Sequence, residues 1–173
     1  MVKLHAAIDA DALTEEMRER MLESSVARAR QEHEALKDEL RSIYDQACVV
    51  RNDSEEKRLN REIRQLHDCV KMFMRHWSAH TKWEDSELYP QAASYLGAEP
   101  DLFLLMEQEY ELADQYLRTF LRALEKVEYP IGQEEARKMT SYLIQAYAVL
   151  NNRFREEDEI MLDLTDKSNA YGF

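Results

Sequence analysis

Apolar residues recur along this chain at intervals of three and four, the pattern of helices that bury one face. Over residues 25–50 the stripe reads Ala29, His33, Leu36, Leu40, Ile43 and Ala47. Asn52-Asp53-Ser54 follows as a turn and N-cap signal, with Glu56 and Lys57 opening the next helix. That second helix, over 55–89, turns Leu59, Ile63, Leu66, Val70, Phe73, Trp77, His80, Glu84 and Leu88 inward. Pro90 is expected to kink or stop it. Gly97 to Pro100 marks the next break. A third helix over 101–127 buries Phe103, Met106, Tyr110, Ala113, Leu117, Phe120 and Leu124, and Tyr129-Pro130-Ile131-Gly132 ends it. A fourth over 134–164 carries Met139, Tyr142, Ala146, Val149, Asn152, Glu156 and Ile160 on its inner face.

Four amphipathic helices with short connections predict an all-α fold, an up-down-up-down antiparallel four-helix bundle over residues 25–165. Residues 1–24 form an N-terminal arm whose Leu13, Met17 and Met21 recur at helical spacing. This short helical extension packs across the bundle or runs into the next helix. Residues 166–173 lack periodicity and read as a tail. A faint internal repeat pairs Trp83-Glu84-Asp85-Ser86-Glu87-Leu88 with Arg155-Glu156-Glu157-Asp158-Glu159-Ile160.

Composition agrees: 3 Gly and 3 Pro among 173 residues leave little to interrupt helices. The formal net charge of -12 argues against nucleic acid and anionic membrane surfaces, which need an excess of Lys and Arg. No apolar run approaches the roughly 20 residues of a membrane span. The N-terminus turns acidic too soon for a signal peptide. Cys48 and Cys69 read as reduced thiols, so a cytoplasmic protein is expected.

The chemistry lies where polar side chains interrupt the apolar stripes. His80 and Glu84 have i, i+4 spacing, which puts both on one helix face within reach of one ion. His33 and Glu156 occupy inward positions on neighbouring helices. Two neutral imidazoles and two carboxylates suit iron, with zinc or manganese as competitors. The structural alternative is a set of hydrogen-bonded core residues, since a buried carboxylate without a partner is costly and raises its pKa instead. No nucleophile triad, phosphate-binding glycine loop or zinc ribbon is present, so no catalytic residue is assigned.

Gln31-Glu32-His33-Glu34-Ala35-Leu36, followed by His80-x-x-x-Glu84-x-x-x-Leu88-Tyr89-Pro90, resembles the hemerythrin-like (HHE cation-binding) family over roughly residues 25–165. The resemblance implies a four-helix bundle around a non-haem di-iron centre that binds oxygen or handles iron, oxidants or nitric oxide. It makes His33 and His80 terminal ligands, and Glu84 and Glu156 bridging carboxylates. Tyr110 and Asn152 stand where the family's second half carries histidines. Glu109, beside Tyr110, is a reserve ligand. A mononuclear or incomplete site is therefore expected.

Depth along the helices raises one conflict. Counted from the Asn52–Ser54 turn, His80 lies about seven residues deeper than His33, roughly 10 Å at about 1.5 Å per residue. His76 matches His33 better and joins the candidates. The expected function is metal binding with oxygen, nitric oxide or iron as the sensed or stored ligand. The rival expectations are a metal-free structural or interaction bundle and, third, an iron-dependent oxidoreductase.

Overall fold

A computed structural model describes the backbone of residues 2–96 and 100–170, and the side chains of 15–94 and 107–166 apart from residue 164. It is helical nearly throughout: α1 Val2–Asn52, α2 Glu56–Trp83, a π-helical segment Glu84–Leu88, α3 Tyr89–Leu96, α4 Pro100–Lys126 and α5 Gln133–Ala170. The expectations for Leu13, Phe103, Met106, the break at 97–99 and the side chains of the tail fall outside the described residues. Among the described residues, no helix is long and apolar enough to cross a membrane.

The stripes expected on the first two helices are buried throughout, from Ala29 to Ala47 and from Leu59 to Leu88. The arm is not a separate piece in the backbone, because α1 runs unbroken from Val2 to Asn52. Its inner face was misread, however. Met17 and Met21 are 60 % and 52 % exposed, while Leu22, Val26 and Ala29 turn inward. The fourth helix also reaches further than expected, to Ala170.

Pro90 neither stops nor ends the second helical run. The preceding turn widens into the π segment, where the Tyr89 N–H bonds to the Glu84 carbonyl five residues back. A widened turn absorbs the hydrogen bond and the space that a proline denies an α-helix. Asp53 organises the α1–α2 turn: its Oδ1 accepts from the Glu55 N–H at 2.9 Å, and its carboxylate receives Arg58 Nε at 2.7 Å. Asn60 pins the α4–α5 connection, donating to the Ile131 carbonyl and accepting from its N–H at 2.8 Å.

Two apolar clusters result. The larger spans α1, α2, α4 and α5 and ends at Leu36, Trp77, Tyr110 and Phe154. The smaller joins Leu22, Val26, Ala29, Trp83, Leu88, Ala92 and Met161. Between them lies a buried polar layer of His33, His80, Glu84 and Glu157.

Candidate metal centre

Each member of this layer sits where its helix stripe places it: His33 on α1 between Ala29 and Leu36, His80 on α2, Glu84 at the first π position, and Glu157 on α5 between Phe154 and Met161. His80 Nε2 lies 2.9 Å from Glu84 Oε1. Neither atom is aligned on the other as a hydrogen bond, and both lack a partner. His33 Nε2, likewise without a partner, is 3.9 Å from Glu84 Oε2 and 3.6 Å from Glu157 Oε2. One ligand atom each from His33, His80 and Glu84 lie within 4.8 Å of one another. With metal–ligand bonds of about 2.0–2.2 Å, small rotamer shifts bring all three onto one ion.

One of the two outer nitrogens is held. His33 Nδ1 bonds Asp158 Oδ1 at 2.7 Å, and Lys37 Nζ donates to Asp158 Oδ2 at 3.0 Å. A carboxylate on Nδ1 fixes the proton there and leaves the Nε2 lone pair facing the interior, the tautomer a metal needs. Burial pulls the Asp158 carboxyl upward, but His33 and Lys37 together outweigh it and leave it lowered. His80 Nδ1 faces Glu32 Oε2 at 3.5 Å. Burial holds the His80 imidazole below its ordinary pKa, which favours the neutral, ligating form.

The carboxyls behave oppositely. Burial pushes Glu84 up to about 7, and burial with the neighbouring Glu84 pushes Glu157 well above the usual range. Tyr89 Oη sits 3.2 Å from Glu84 Oε2 and 3.1 Å from Glu157 Oε1, and Tyr110 donates to Glu157 Oε2. One phenol proton cannot serve two carboxylates, so a carboxyl proton held by the pair completes the network. The Glu84–Tyr89 contact is itself a product of the π segment. Residues five apart diverge by about 140° on an α-helix, but by only about 50° where roughly 4.4 residues make a turn.

A family model described as the hemerythrin HHE cation-binding domain matches residues 3–165. The chain belongs to the hemerythrin HHE family. No curated protein and no solved structure matches it.

For this hemerythrin-domain chain, the residues expected on the first two helices come together and those on the fourth do not. Glu156 is 40 % exposed on its side chain and receives Asn152 Nδ2 at 3.1 Å, whereas Glu157 is fully buried. Asn152 is exposed and accepts from Arg155. The stripe on α5 is Leu143, Ala146, Leu150, Phe154, Glu157 and Met161, so the expected face beyond Ala146 was rotated by one position. Large apolar Leu150 and Phe154 carry the signal that sets the correct phase. Tyr110 does face the layer, as a partner of Glu157. Glu109 turns to Arg153 at the bundle surface.

His76 lies outside the site, 56 % exposed and bonded to Glu39 at 2.6 Å. The depth conflict that favoured it compared Cα positions alone. Side chains lean toward their own helix N-terminus, so His33 reaches away from the α1–α2 turn and His80 back toward it. Their rings meet with centroids 4.7 Å apart. Sequence reasoning missed Glu157, Tyr89, Asp158 and Glu32. Asp158 was legible in principle, one residue beyond an inward glutamate and thus able to reach around a helix edge.

Proposed function

We propose that this chain is a cytosolic hemerythrin-domain protein that holds one iron ion through His33, His80 and Glu84, with Glu157 adjoining, and that it binds or senses oxygen, nitric oxide or iron. The observation that carries this reading is the set of buried donor atoms without protein partners: His33 Nε2, both His80 ring nitrogens and Glu84 Oε1. Unsatisfied buried polar atoms cost roughly 1–3 kcal/mol each, and a cation bound by neutral imidazole and carboxylate removes that cost. Iron supplies redox change and open positions for a small ligand. The protein's residues do the rest. Lys37 and Asp158 orient His33, Glu32 faces the outer nitrogen of His80, and Tyr89 and Tyr110 occupy the oxygens of Glu157. With Glu157 so committed and Tyr110 in place of a family histidine, the second half offers little to a second ion, which favours a mononuclear site.

The bundle is taken as up-down-up-down and antiparallel. Along the α1–α5 seam the pairings Lys37–Asp158, Tyr44–Tyr147 and Arg51–Arg137 run in opposite chain directions, which supports that order. The rival metal-free bundle requires the polar layer to satisfy itself. Glu157 and the two tyrosines do so, while His33 Nε2 and both His80 nitrogens do not.

Titrating chelator-treated protein with Fe(II) under anaerobic conditions is expected to bind one ion per chain and to raise the melting temperature. Zinc and manganese compete for the same site. A chain that takes up none of the three ions, with an unchanged melting temperature, defeats the reading.

A further inference from the structure

A cleft of about 590 Å³ opens between α2 and α4 and reaches the metal centre. Its inner wall includes Trp77, Glu84, Tyr89 and Tyr110. Small polar Ser78 and Thr81 line the α2 side, where larger side chains would close the gap. On the α4 side stand Glu107, Glu111 and Asp114, at i, i+4 and i+7 of one helix face. Asp85 adds a further carboxyl from the π segment. Arg118 is the single basic residue among the described residues lining the cleft, and it is spent on Asp114 at 2.7 Å.

We propose that this cleft is the route by which a divalent cation reaches His33, His80 and Glu84, with Glu107 and Glu111 drawing it in. The inference rests on the metal-binding reading and adds where the ion comes from. Acidic residues alone would be a solvated helix face. Here the path ends at a side chain buried to 1 % whose Oε1 has no hydrogen-bond partner, so the charge leads to a ligand rather than to bulk water. The other side of the layer is covered, with Asp158 and Lys37 closing over His33 and Glu32 over His80. A groove lined by one sign of charge between low-dielectric walls focuses its field and raises the rate of capture by about 10- to 1000-fold, falling steeply with salt.

The test is stopped-flow mixing of the chelator-treated full chain with Co(II), following the visible absorption of the bound ion at about 20 mM and about 500 mM salt. Glu107→Gln/Glu111→Gln is expected to load about tenfold more slowly at low salt, to the parent's final stoichiometry, with the gap closing at high salt. Glu125→Gln/Glu128→Gln, an equal charge change at exposed positions far from the cleft, is expected to load at the parent's rate. Ser78→Phe narrows the path itself and is expected to slow uptake at both salt concentrations. Parent-like rates in both cleft variants overturn the route while leaving the metal site standing. Equal slowing by the distant pair reduces the effect to net charge and also overturns it. A parent that takes up no Co(II) overturns the route together with the metal site.

Discussion

The polar layer has two halves, each with a buried glutamate and the two with opposite hydrogen-bond status. On one side His33, His80 and Glu84 bring nitrogen and oxygen atoms close without aligning them. On the other, Glu157 is held by two phenols, each within hydrogen-bond reach. Burial is equally deep in both, so depth does not distinguish a ligand set from a core network. Partnering does. Buried polar atoms left without partners cost stability unless something outside the chain satisfies them, and that is the property that makes the first half a candidate metal site.

Substitutions should separate the halves most sharply in metal retention. His80→Leu is expected to abolish stoichiometric iron, while chelated protein keeps or gains stability because the change removes unpartnered buried nitrogens. Elemental analysis with urea unfolding in chelator checks both; a large loss of chelated stability would make His80 a structural residue. Next in size is Asp158→Asn, expected to weaken metal affinity about 10- to 100-fold by loosening the His33 tautomer, as read by competition with a chromophoric chelator.

Tyr110→Phe probes the closed half. Leaving Glu157 short of a donor should lower chelated stability by ~1–3 kcal/mol, with one metal still bound. Were retention lost as well, the two halves would have to be treated as one site. The ionisation of Glu84 gives a smaller signal. In chelated protein its carboxyl keeps a proton up to about pH 7, whereas an unfolded glutamate releases it near about 4.3. The folded state thus binds more protons across that window, so the contribution to stability falls as pH rises through it. The parent's melting temperature should drop more between about pH 5 and pH 7.5 than that of Glu84→Gln, and metal should erase the difference. Smallest of all, Glu156→Gln should change stability by less than about 0.5 kcal/mol and leave metal content intact.

How far the sequence foretold this arrangement depends on what surrounds each polar position. On the first two stripes, one ligand-type residue on the first and two at i, i+4 on the second interrupt long apolar runs, so His33, His80 and Glu84 could be read directly. On α5 four acidic residues stand in a row, Glu156 to Glu159, and composition cannot say which points inward. Only the phase carried by Leu150 and Phe154 decides for Glu157. Asp158 stands at the edge of that inward face, and its bond to His33 gives it its role. Asp53 was read only as part of the turn and N-cap signal, yet its bond to Arg58 lowers that carboxyl to about 2.

The π segment has a consequence for how this chain can change over generations. A helix that carries one residue more than its turns require can lose one there without turning the face that follows. Losing any one of Asp85 to Leu88 would leave a continuous helix of ordinary geometry in which Glu84 and Tyr89 stand four residues apart, at about 40° instead of about 50°, so Tyr89 and Ala92 keep their facing relative to His80. It would also return Pro90 to a turn that cannot accept it. The cost of such a deletion therefore falls on the proline rather than on the facing of His33, His80, Glu84 and Tyr89.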